Sequence, residues 1–166
     1  KKNIFKNFSI NLAMNDMITN PITLKLLSSA DVIILSSRWG SKTDFQSIVN
    51  YLRNNSSGKI IITGRIPQFI DMPTLFFKYG KKNLNYISNL KRNKKVDLLN
   101  QKIKKEAEIL NVEYFDRTNL ICKLGSCTVI DNNNLLYTDT DHWSYDGVVF
   151  YGKRLYDYGF LDLIKK

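Results

Sequence analysis

Two short apolar runs constrain this chain more than anything else in it. Val32-Ile33-Ile34-Leu35 and Ile60-Ile61-Ile62 are rich in β-branched residues, too short for helices and without a polar residue to turn toward water. Runs of that kind belong to strands covered on both faces, and sheets built from them are parallel. The segment between them, Thr43 to Arg53, spaces Phe45, Ile48, Val49 and Leu52 as one helical face, and Asn54-Asn55-Ser56-Ser57-Gly58 stops it. The alternation continues on either side. Asn20 followed by Pro21 starts a helix that runs to about Ser29. Val96, Leu99, Ile103, Ala107 and Leu110 mark an amphipathic helix, and Val112 to Phe115 a third strand. Val129 to Tyr137 reads as a small hairpin turning at the asparagine run. A terminal helix from Gly147 to about Tyr158 takes Ser144 as its cap. Residues 71–92 show no usable periodicity. Strand and helix in alternation predict a single α/β domain over 1–166, with a parallel sheet between layers of helices.

In such sheets the site is built by loops at the carboxyl ends of strands. Ser36 to Lys42, Gly64 to Phe69, and Tyr137 to Ser144 are the candidates. A core is affordable, since 43% of the residues are apolar, but no apolar run approaches the ~20 residues of a membrane helix. The first residues carry neither an initiator Met nor a signal core, so the chain is expected to be the C-terminal part of a longer one.

The net charge is +10, and it is uneven. Lys78 to Glu108 holds ten basic residues against three acidic ones, seven of the ten net charges. Such a segment suits a solvated helix face or a polyanion partner, either nucleic acid or an anionic glycan. No nucleic-acid motif accompanies it. Cys122 and Cys127 stand five apart, with Gly125 and Ser126 able to turn the chain back between them. Their spacing suits a local disulfide in an oxidising compartment, or two buried free thiols. A zinc set is excluded by the single histidine.

That histidine, His142, lies in Tyr137-Thr138-Asp139-Thr140-Asp141-His142-Trp143-Ser144, with carboxylates three and one residues before it. A general base needs one ring nitrogen held by a partner, and Asp139 can reach it on a loop without long-range structure. Asp141, the immediate neighbour, would more naturally point elsewhere. Asp139, Asp141 and His142 could also share a cation, though no fourth ligand is evident and no metal is expected.

The pattern Tyr137-x-Asp139-x-x-His142-x-Ser144-x-x-Gly147 before a terminal helix resembles the last block of SGNH hydrolases. It is closest to SGNH domains fused to membrane acyltransferase-3 proteins, with Trp143 in place of the usual Leu. Asp116, Leu120, Cys122 and Cys127 resemble that subgroup's two-cysteine segment. Ala30 to Trp39 resembles its central strand ending in Arg38-Trp39. The resemblance implies a flavodoxin-like three-layer α/β/α sandwich with a mostly parallel sheet, its first strand lying upstream. It implies O-acyl transfer, mostly of acetyl, to a sugar hydroxyl of a bacterial surface polysaccharide, or ester hydrolysis, without a cofactor. His142 is then the base and Asp139 its partner. Arg38 and Trp39 become candidates for substrate binding, and Cys122–Cys127 a disulfide. The donor would come from a membrane acyltransferase domain that tethers the chain at the periplasmic or other extracytoplasmic face of the inner membrane. The acceptor would be an anionic glycan, and nucleic acid is not expected. The family's Gly-Asp-Ser nucleophile motif occurs nowhere in the sequence. Its Ser is therefore expected upstream, unless the homologue is inactive or the chain is only a basic binding module. Asn11 and Asn15 lie in a loop-like stretch without the context of an oxyanion hole.

Overall fold

The computed structural model describes residues 20–124 and 126–164. Asn11, Asn15, the first residues and Gly125 lie outside them. The elements, in chain order, are α1 (Pro21–Ser29), β1 (Val32–Leu35), α2 (Phe45–Asn55), β2 (Lys59–Thr63), α3 (Met72–Tyr79), α4 (Leu84–Lys91), α5 (Lys94–Ile109) and β3 (Glu113–Phe115). They continue with α6 (Thr118–Ile121), β4 (Cys122–Lys123), β5 (Ser126–Cys127), β6 (Ile130–Asp131), β7 (Asn134–Leu135), α7 (Tyr145–Asp157) and α8 (Phe160–Ile164). No helix among the described residues is long and apolar enough to cross a membrane. The described residues fall into two compact units, one of 20–63 with 102–115 and the other of 64–101 with 116–164.

The first unit holds the parallel sheet that the alternation predicts, in the order β1-β2-β3. Ile33 pairs with Ile60 and Ile62 with Tyr114, all in parallel register. Central β2 is apolar on both faces and fully covered, with Ile61 and Ile62 wholly buried. β1 differs from the expectation of burial on both faces. Among the described residues it pairs with β2 alone, and Ile34 is 43% exposed, as an edge strand permits. Phe45, Val49 and Leu52 form the buried face of α2, and Asp44 caps it, accepting from the Ser47 N–H. The Trp39 indole N–H donates to the Thr63 carbonyl at 2.8 Å, and its ring meets Phe45 edge-on. That contact joins the carboxyl ends of β1 and β2.

The second unit is helical, with two short antiparallel hairpins. Residues 71–92, which show no periodicity, form α3 and α4. Each is only eight residues long and buries two positions: Met72 and Leu75 on α3, and Leu84 with the polar Ser88 on α4. The signal that marks α3 is Asp71, whose carboxylate caps Thr74, followed by Pro73 in the first turn. Cys122 and Cys127 pair opposite one another across β4 and β5 and are joined as a disulfide. In the β6–β7 hairpin, Asn132 and Asn133 both take positive φ, 44° and 69°, as a two-residue turn with right-handed strand twist requires. Asn85 ties that hairpin to α4, its Oδ1 accepting from the Val129 and Ile130 N–H groups at 2.8 and 3.2 Å.

Replacing Asn85 with Ala strands two backbone donors, one of them on fully buried Val129, and should cost about 2–3 kcal/mol in urea unfolding. Asn85→Asp keeps the acceptor and should cost clearly less. Equal losses would mean that the side chain matters by its volume and not by these two bonds.

Candidate active site

The Asp139–His142 segment is the tip of a closed loop in the second unit. Leu136 and Ser144 start its closure, the Ser144 N–H donating to the Leu136 carbonyl at 3.0 Å. Tyr137 bridges Trp143, and the Thr138 N–H and hydroxyl both donate to the His142 carbonyl. The loop thus follows the small β6–β7 hairpin. This corrects the expectation that it leaves the carboxyl end of a strand in the parallel sheet. Ser144 caps α7 as expected, accepting from the Gly147 N–H while donating to the Leu135 carbonyl at 2.6 Å. Gly147 is required by proximity, since a Cβ there would lie 2.0 Å from the Leu136 carbonyl oxygen. Under the loop, the buried Tyr137 ring meets Phe69 and Tyr151 edge-on, and Trp143 lies on Tyr151. Burial pushes the Tyr137 and Tyr151 hydroxyls well above the ordinary tyrosine value, so both stay protonated at neutral pH.

At the tip a single carboxylate holds three donors. Asp139 Oδ1 accepts from the backbone N–H groups of Asp141 and His142, both at 2.9 Å. Its Oδ2 accepts from His142 Nδ1 at 2.7 Å. The two backbone donors, Asp141 first, and then the ring lower the Asp139 pKa to about 2. An ionised carboxylate can only accept, so the proton sits on Nδ1 and the neutral ring presents Nε2 as a base. The His142 side chain is 68% exposed and open to an incoming group.

Asp141 makes its hydrogen bonds away from the ring, yet one of its oxygens stays close to that ring. It is buried, accepts from Gln68 Nε2 at 2.7 Å and from the Thr140 hydroxyl, and stands 3.7 Å from His142 Nδ1. The Phe69 N–H donates to the Thr140 carbonyl, and the Asn93 N–H to the Gln68 carbonyl. Gln68 and Asn93 therefore buttress the tip. The Gly64 to Phe69 loop is a candidate from sequence, but neither of these residues carries a signal of its own. Asp139, Asp141 and His142 each offer one ligand atom within 4.8 Å of the others, the one such group among the described residues. With Nδ1 protonated, only the outer ring nitrogen is left to ligate. Arg38 and Trp39 lie in the first unit, Arg38 exposed and Trp39 with its indole N–H given to Thr63.

A family model described as SGNH domain (fused to AT3 domains) matches residues 13–157. No curated protein matches the chain. Among solved structures, the periplasmic domain of the lipopolysaccharide acetyltransferase of Salmonella ser. Paratyphi A is similar, with a TM-score of 0.61 and 13% identity. The match covers 89% of this chain and 60% of that one. At this identity the likeness is one of fold, and it agrees with the parallel α/β architecture.

Two outcomes follow from the loop. In a carbon-13 titration the Asp139 carboxyl should have its midpoint near pH 2. His142→Ala removes only the third of its three donors, so the midpoint should rise yet stay below the ordinary 3.8. Because the folded value is depressed, the order the loop gains from Asp139 is complete above about pH 4 and drains away toward pH 2. A full return to 3.8 in His142→Ala would refute the backbone clamp. Separately, Gly147→Ala must push α7 from the Leu136 carbonyl and should cost about 1–3 kcal/mol in denaturant unfolding.

Proposed function

The chain belongs to the family of SGNH domains fused to AT3 domains, and on that premise we propose that it takes part in O-acyl transfer, chiefly of acetyl, to a sugar hydroxyl of a bacterial surface polysaccharide. The observation that carries this reading is the 2.7 Å bond from His142 Nδ1 to a carboxylate that two backbone N–H groups already hold in place. A serine attacks the acyl carbonyl while His142 Nε2 takes its proton. Asp139 keeps the ring in the required tautomer and stabilises the imidazolium that forms. The imidazolium returns the proton to the leaving group. The sugar hydroxyl, deprotonated by the same nitrogen, then attacks the acyl-serine and regenerates the enzyme. With water as acceptor the same cycle hydrolyses an ester.

The sequence contains no Gly-Asp-Ser, so the serine is supplied from outside these residues. The donor is delivered by the fused acyltransferase domain. The acceptor is an anionic glycan, to which the net charge of +10 is complementary. Arg38 and Trp39 contact the sugar, Trp39 through its ring, since its N–H is engaged within the fold. The Cys122–Cys127 disulfide fits a site of action outside the cytoplasm.

In the full-length protein His142→Ala should lower kcat/KM for a small acyl ester by about 10⁴. Asp139→Asn should lose as much or less, because it spoils orientation and leaves the base. Asp141→Asn should stay within about tenfold of the parent, its carboxylate being turned to Gln68. Full activity in His142→Ala would end the SGNH mechanism for this protein. Turnover of p-nitrophenyl acetate by the 166-residue chain alone, abolished by His142→Ala, would instead show that a nucleophile lies within these residues.

A further inference from the structure

The corner between α3 and α4 carries a surface whose chemistry the acyl-transfer cycle does not use. Between Asp71 and Asp97 the chain has seven basic residues and no acidic one. Arg92 is committed to Asp97 at 2.9 Å, and Lys94 stands 3.8 Å from the same carboxylate. Lys78, Lys81, Lys82 and Lys91 are exposed. α3 and α4 bury Met72, Leu75, Leu84 and Ser88, and the Ser88 hydroxyl lies 3.7 Å from the Met72 sulfur. Their exposed residues include large apolar ones beside the lysines. Phe77 on α3 is 94% exposed; on α4, Tyr86 and Leu90, one turn apart, are 58% and 53% exposed. Gly80 ends α3 at φ 67° and ψ 178°, a backbone conformation open in practice to glycine alone. Lys81 and Lys82 follow directly after that bend.

Isolated surface apolar residues are ordinary, but Phe77 is almost wholly exposed and has the exposed Lys78, Lys81 and Lys82 within five positions of it. A glycan would meet the cations and stack against an aromatic ring, but it has no apolar interior to take up a side chain as exposed as Phe77. A bilayer uses both: lysine ammonium groups meet lipid phosphates while an aromatic ring enters the boundary between headgroups and acyl chains. We propose that the α3–α4 corner docks on an anionic phospholipid surface, with Phe77 as the inserted group and Lys78, Lys81 and Lys82 as its phosphate contacts. The inference stands independently of the acyl-transfer reading.

The test is co-sedimentation of the chain with vesicles of mixed phosphatidylglycerol and phosphatidylcholine, against phosphatidylcholine alone. Binding is expected only to the anionic vesicles and should weaken as salt is raised. Lys81→Gln together with Lys82→Gln should weaken it about 30-fold, at roughly fivefold per lysine. Phe77→Ser should weaken it about tenfold. All three side chains are exposed, so circular dichroism should be unchanged. Absence of sedimentation, or equal binding to neutral vesicles, would overturn the proposal. It would also fall if Phe77→Ser bound undiminished while dextran sulfate displaced the chain, since the corner would then be a site for soluble polyanions.

Discussion

Asp139 is the interaction on which the candidate site depends. Its two carboxylate oxygens satisfy three donors, two from the backbone of the next residues and one from the imidazole. The backbone pair would order the tip even without the ring, and the ring therefore meets an acceptor whose position is already set. This is the arrangement a general base needs, because an imidazole is useful only when one nitrogen is held and the other is left to work. The charge on Asp139 is secured by the same contacts, which depress its pKa to about 2 and remove any competition for the Nδ1 proton at neutral pH.

Around that tip the structure spends its polar atoms on position. Ser144 serves three partners, the Leu135 carbonyl, the Leu136 carbonyl and the Gly147 N–H, and so locks the start of α7 to the strand that enters the loop. Gly147 lets the helix come within a distance that no side chain would allow. Tyr137, Phe69, Trp143 and Tyr151 form the floor, and their burial leaves the tyrosine hydroxyls no acid–base part at neutral pH. The motif of Tyr, Asp, His, Ser and Gly thus divides into the Asp139–His142 pair and three residues that hold it.

The disulfide and the uneven charge concern where the protein works more than what it does. Cys122–Cys127 closes a small loop next to the segment that leads to the hairpin. A loop that short contributes little through chain entropy, so its main effect is to order the chain locally. The positive charge is concentrated on helices of few apolar contacts. Lys78, Lys81, Lys82, Lys91, Lys94 and Lys95 are all exposed there.

What the sequence by itself determined was everything that rests on near neighbours. The Asn20 and Ser144 caps, the asparagine turn of the β6–β7 hairpin, the apolar runs of β1 and β2 and the Asp139–His142 pair all involve residues within a few positions of one another. Their geometry follows from local dihedral preferences and short reach. The tertiary structure decided the rest. Gln68 meets Asp141 across 73 positions and Trp39 gives its indole proton to Thr63 across 24, and neither residue announces its partner. The short helices α3 and α4 leave no mark in the hydrophobic pattern of the sequence, because two buried residues each do not make a period. β1, apolar throughout, pairs among the described residues with β2 alone and leaves Ile34 exposed, which its composition does not reveal. Hydrogen bonds and burial between distant segments depend on which surfaces the folded chain brings together, and that information is not carried by any one stretch of residues.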